Sequence, residues 1–137
     1  MALLIEFVSQ QWALVGALVV VLLMLFRHEG NRSGPSLSAQ QAINKINQQQ
    51  AVVVDLRDAA EFKSGHIVDA LNIPHAKLAE RVDELEKYRE RPLILVCKMG
   101  QHTGAAGKLL GSKGFADVYR LSGGISEWQQ QQLPLVK

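Results

Sequence analysis

The chain has 137 residues, a formal net charge of +2, 47% hydrophobic and 20% charged side chains, and one cysteine, Cys97. This length suits one compact domain plus a short extra segment. The near-balanced charge, with no dense basic stripe, argues against nucleic acid as a partner. A lone cysteine cannot close an intramolecular disulfide, so nothing points to an oxidising compartment.

The amino-terminal run WALVGALVVVLLMLF, Trp12 to Phe26, has no polar side chain beyond the Trp12 indole. Alone it falls short of the roughly 20 residues a helix needs to cross a bilayer, and LLIEFVSQQ upstream brings it to that length. A cleaved signal peptide calls for a basic start and a small-residue cleavage site. Here the start carries Glu6 and no Lys or Arg, and RHEGNRSG follows the apolar core. Residues 1–27 are therefore expected to form one uncleaved transmembrane helix embedded in a lipid bilayer. Arg27 and Arg32, with His28 nearby, place the positive charge on its carboxyl side, which predicts the amino terminus outside and the rest of the chain in the cytoplasm.

RHEGNRSGPS supplies a polar linker, bounded as 28–36, with Gly30, Gly34 and Pro35 as helix stoppers. A domain over 37–137 follows, in which helical and strand patterns alternate. Ser38 caps a helix over AQQAINKINQQ, where Ala39, Ala42, Ile43 and Ile46 recur at helical spacing. AVVVDL is a continuous β-branched run of the kind buried on both faces of a parallel sheet. Asp58 and Glu61 in DAAEF have capping-box spacing for a short helix. ALNIP reads as a strand. AKLAERVDELEKY reads as a helix with Leu78, Val82 and Leu85 on one stripe. PLILVC is a third strand, TGAAGKLLGSKG a helix stopped by Gly114, DVYRL a fourth strand, and GGISEWQQQ a last helix with Ile125 and Trp128 inward. Such alternation predicts an α/β domain with a parallel sheet covered on both faces, whose ligand site lies beyond the carboxyl ends of the strands. Cys97 sits at that end of PLILV.

The loop KMGQH, Lys98 to His102, joins this strand to a helix whose expected cap is Thr103. Inward amides of Lys98, Met99, Gly100, Gln101, His102 and Thr103, backed by the helix terminus, would favour an anion there. The nucleophilic form of cysteine is the thiolate, so the expected Cys97 is exposed at the strand end and cradled as an anion. A cysteine phosphatase would need an Arg after five intervening residues; that position holds Thr103, preceded by His102, and neither supplies a bidentate clamp. Sulfane-sulfur transfer needs less: an attacking thiolate and N–H donors for the persulfide anion. His28, His66, His75 and His102 show no metal-ligand spacing, so neither a metal nor another cofactor is expected. Ser122 to Gly124, SGG, reads as a turn whose close backbone approach needs glycine.

From Ala39 to Gln131 the chain resembles a single rhodanese (sulfurtransferase) domain. VVDLRDAAEFKSGHIVDALNIP, Val53 to Pro74, is similar to the amino-terminal signature of that family, and LILVCKMGQHTGAAGKLLGSKGFADVYRLSGGISEWQ to its active-site loop and carboxyl-terminal signature. The resemblance implies a five-stranded parallel sheet with helices on both faces, and a Cys97 that accepts a sulfur atom and passes it on. With an anchor in front, it resembles the bacterial members tethered to the inner membrane. Many members read Cys-x-x-Gly-x-Arg-Ser in this loop, and His102 stands in the Arg place. That departure weakens the case for a dianionic donor such as thiosulfate and favours a persulfide or polysulfide, with a thiol or cyanide as acceptor. His102 has two readings, a solvent-facing loop residue or an anion contact when protonated. Asp55 and Arg57 are expected to pair and cap near the site rather than touch substrate, and His66 to be a hydrogen-bonded structural histidine. Two functions remain open: a membrane-tethered sulfurtransferase, and a membrane-tethered module whose rhodanese fold docks partner proteins with little turnover.

Overall fold

The computed structural model describes residues 1–32 and 34–137, with side chains described outside 28–33. The chain divides into two units, Met1–Asn31 and Arg32–Lys137. The side chains of His28 and Arg32, on which the orientation reading drew, lie outside the described residues.

The first unit differs from the single helix expected over residues 1–27. Two helices, α1 (Ala2–Gln10) and α2 (Trp12–Arg32), meet at Gln11, and α1 is bent by 79° against the Trp12–Arg27 part of α2. The break falls on the polar run Ser9-Gln10-Gln11. The Ser9 hydroxyl donates to the Glu6 carbonyl at 2.9 Å, a local bond that competes with the helical ladder, and Gln11 leaves helical geometry. No single helix among the described residues is long and apolar enough to cross a membrane; the bent pair reaches the required length and composition only together.

The second unit is built on a five-stranded, all-parallel sheet in the order β1-β5-β4-β2-β3. Its strands are β1 (Ser36–Leu37), β2 (Val52–Asp55), β3 (Leu71–Asn72), β4 (Leu93–Val96) and β5 (Val118–Leu121). Four of them fall within the four strand-like runs of the sequence. The fifth, β1, takes its first residue from the expected linker; a two-residue strand beside Gly34-Pro35 carries too short a pattern to be read. β2 and β4 are buried at every position, and alternate side chains feed opposite faces. Val52, Val54, Leu93, Leu95 and Cys97 join one core cluster with Leu78, Val82, Leu85, Ala106 and Leu110. Val53, Ile94 and Val96 join the other with Ala39, Ala42, Ile125 and Trp128. Helices therefore close both faces.

One local expectation holds and three change. The helix α3 (Ala39–Gln49) has Ser38 as its cap, and Gln41 completes a capping box. At α4 (Ala59–Ser64) the Asp58 side chain makes no cap bond, so the expected Asp58–Glu61 box does not form. The span 75–88 is one turn of α-helix, α5 (Leu78–Arg81), between two 3₁₀ segments, His75–Lys77 and Val82–Tyr88. Leu78, Val82 and Leu85 are nonetheless all buried. Thr103 begins α6 (Thr103–Ser112) as its first residue rather than capping it; the cap position is His102, without a side-chain bond.

Candidate active site

β2 and β4 lie side by side at the centre of the sheet, with Asp55 opposite Val96. The chain leaves β2 for one edge and returns at β4 to build toward the other. This is the topological switch point, where crevices open at the strand carboxyl ends. Cys97 follows Val96 directly at that point.

The Gly100 amide donates to Cys97 Sγ at 2.8 Å. The Thr103 hydroxyl donates to the Gly100 carbonyl at 3.0 Å and so fixes the turn; Gly100 has φ +92°, the left-handed region that suits glycine. The Gln101 side-chain Oε1 accepts the Met99 N–H at 3.0 Å and lies 3.4 Å from Sγ. Among the described residues, the amides of Lys98, Gln101 and His102 have no protein acceptor. The cradle thus has the Gly100 N–H engaged with sulfur and the Met99 N–H engaged with the Gln101 carboxamide. The sulfur itself corrects the expectation of exposure: Cys97 is only 1% exposed, because it packs with the core cluster beneath α6 and the Gln101 carboxamide lies against Sγ. Lys98 and Gln101 are exposed, and Met99 is 65% exposed at the loop tip.

The loop is clamped from behind by α7 (Gly124–Gln130). The Ile125 amide donates to the Cys97 carbonyl at 2.9 Å and the Ser126 amide to that of Lys98 at 3.0 Å. A Cβ on Gly124, at φ +60°, would collide with the backbone of Cys97 and Lys98. The glycine turn expected at 122–124 therefore has a definite partner, the cysteine loop.

Asp55 and Arg57 form a buried bidentate pair, with Arg57 Nη2 at 2.8 Å from Asp55 Oδ2. The same nitrogen donates to the Gly65 carbonyl at 2.7 Å, tying β2 to the end of α4. Asn72, which the sequence did not single out, donates to the carbonyls of Asp55 and Arg57. The contacts of His66 are with Phe62 and Val136: it stacks on Phe62, its Nδ1 lies 2.8 Å from the Phe62 carbonyl, and its backbone bridges Val136. His102 stacks on His75, ring centroids 3.7 Å apart and 7° from parallel. They flank a cavity of about 140 Å³ lined also by Leu78, Ala105, Ala106 and Leu109. No cluster of three or more His, Cys, Asp or Glu suited to a metal occurs among the described residues.

A cysteine delivered by the central strand of a five-stranded parallel sheet into a short amide-lined loop is the arrangement of a rhodanese-type fold. The family model described as Rhodanese-like domain matches residues 38–131, and the chain belongs to that family. It is 35% identical over 126 residues to the YibN protein of Escherichia coli strain K12, covering 91% of this chain and 87% of that one. It is also 35% identical over 94 residues to the thiosulfate sulfurtransferase GlpE of Shewanella oneidensis, covering 69% of this chain and 91% of that enzyme. Among solved structures it resembles a rhodanese-related protein from Thermoplasma volcanium, with TM-score 0.68 and 28% identity, covering 74% of this chain and 97% of that one.

Proposed function

We propose that the chain is a sulfurtransferase that carries sulfane sulfur on Cys97. The observation that carries this reading is the Gly100 N–H aimed at Sγ at the carboxyl end of β4, within a family that includes the GlpE sulfurtransferases. In the first half-reaction the Cys97 thiolate attacks the outer sulfur of a donor. A new S–S bond forms, the donor's own bond to that sulfur breaks, and the leaving group departs with the electron pair, as sulfite from thiosulfate or a thiolate from a persulfide. In the second half-reaction a thiol or cyanide attacks the terminal sulfur and regenerates the thiolate. Amide donors at the loop hold the anion in both states, a stabilisation of the oxyanion-hole kind.

The chain offers no guanidinium at position 102, and its His102 ring is engaged with His75. A persulfide or polysulfide is therefore a better-matched donor than a dianion. The exposed apolar side chains of Leu3, Leu18 and Leu22 in the first unit support membrane attachment through residues 1–27, and the positive charge of Arg27 on its carboxyl side favours a rhodanese domain on the cytoplasmic side of the inner membrane. The near-complete burial of Cys97 favours the second reading, a tethered docking module. Thiocyanate release from cyanide and either donor, abolished by Cys97→Ser, separates the two; no release with any donor selects docking.

A further inference from the structure

The Gln101 side chain has a use that its place in an amide loop does not announce. Its carboxamide lies between the Met99 amide and the cysteine sulfur. The Met99 N–H is an obligatory donor, so the atom facing it is the carbonyl oxygen, Oε1, at 3.0 Å. That same oxygen stands 3.4 Å from Cys97 Sγ and can accept the S–H proton. A sulfur bonded to Sγ would lie about 2.05 Å from it and, as an anion, would seek the Met99 N–H that Oε1 now faces.

We propose that the Gln101 carboxamide occupies the seat of the transferred sulfur, holding Cys97 as a covered thiol until an incoming donor displaces it. The inference rests on the sulfurtransferase reading. The Gly100 N–H stabilises the sulfur anion, whereas an oxygen acceptor stabilises the protonated thiol. When Gln101 swings out, Sγ is uncovered, the acceptor that favoured the proton is gone, and the Met99 N–H is freed. The thiol proton passes to solvent. The thiolate then takes the outer sulfur of the donor, whose leaving group departs with the electron pair of the broken bond. Gln101 is exposed, so its withdrawal disturbs no core packing. It is a positioning residue. Lys98 and His102 on the loop, and His75 against His102, are the charged or titratable neighbours, and the variants below keep all three.

The test is the rate at which iodoacetamide alkylates Cys97 in the full-length chain, followed by intact mass across pH, with Cys97→Ser as blank. Gln101→Ala should react about tenfold faster at neutral pH, the size expected for losing one hydrogen bond to the thiol form, with its pH profile moved to lower pH. Gln101→Glu keeps an acceptor and adds negative charge; it should react more slowly, with its profile moved to higher pH. Should Gln101→Ala react at the rate of the urea-unfolded chain, Gln101→Glu, of opposite sign, decides. Rates and profiles within twofold of the native chain in Gln101→Glu, or in a folded Gln101→Ala, overturn the proposal. Alkylation reads the thiol whatever the protein does with sulfur. Altered alkylation without sulfur uptake would leave Gln101 as the cover of the thiol and sink the functional reading with the sulfur seat that rests on it, and sulfur uptake with unaltered alkylation would sink this inference alone.

Discussion

His102 occupies the place where many rhodanese domains carry arginine, and its ring is stacked face to face on His75. An imidazole held in that stack has no forked set of donors to offer a dianion. An arginine there would present a permanent, forked charge. His102→Arg should raise kcat/KM for thiosulfate about tenfold, the worth of one charge-assisted hydrogen bond, and leave turnover of a small persulfide within twofold. Equal gains on both donors would show that charge at 102 does not set donor choice. Gly124 constrains the same loop from the other side. Gly124→Ala should cost about 3 kcal/mol, from a left-handed φ and a collision with backbone, and abolish transfer through displacement of the Cys97 loop; thermal unfolding with the turnover assay checks both. At this scale the sequence was informative about which residues matter and, the Asp55–Arg57 pair apart, silent about what they touch. Cys97 and the glycine turn are legible from their positions at element ends. The burial of Sγ, the Gln101 cover and the His75–His102 stack are contacts between side chains whose meeting depends on the folded loop, and no spacing rule encodes them.

At the scale of elements, the Asp55–Arg57 pair joins β2 to α4 through the Gly65 carbonyl. Removing one partner leaves the other charge buried. Asp55→Ala is therefore expected to destabilise the domain by about 3–5 kcal/mol, read as a lowered denaturation midpoint. The segment 75–88 shows why element type was less legible than element position. Its apolar residues, Leu78, Val82 and Leu85, are separated by four and then three positions; the step of four fits the α-helix alone, while the step of three from Val82 to Leu85 fits an α-helix and a 3₁₀ helix alike. Side chains at i and i+3 eclipse in the 3₁₀ form, and two ion pairs, Arg81–Glu84 and Glu86–Arg89, sit at that spacing. Hydrogen bonds from Arg81 to Glu84 and from Arg89 to Glu86 hold both carboxyls below their usual range. Depressed folded-state values mean that this contribution is present above the unfolded carboxyl range and is lost as pH falls through the folded one. Glu84→Gln should therefore lower stability slightly at neutral pH, and its difference from the native chain should close in acid. A difference that persists unchanged in acid would contradict the pairing. The effect stays small because both partners are solvent-exposed.

Over the whole molecule the parallel sheet was the most legible feature. Uninterrupted apolar runs such as VVVD and LILV belong to central strands buried on both faces, and they mark the strand ends beyond which the site lies, while the order that makes a switch point there comes from the folded sheet. The amino-terminal unit was legible in composition but not in shape, since hydropathy sets the length of the apolar stretch while the polar run at Ser9 to Gln11 divides it into two helices. If residues 1–27 attach the chain to a bilayer, their removal should move the protein from the membrane fraction to the soluble fraction while sulfur loading persists. The central claim, that Cys97 carries sulfane sulfur, is tested most directly by intact mass spectrometry after exposure to a polysulfide or thiosulfate. The expected result is a gain of one sulfur atom, discharged by cyanide and absent in Cys97→Ser; an unchanged mass with every donor would rule out Cys97 as a sulfur carrier.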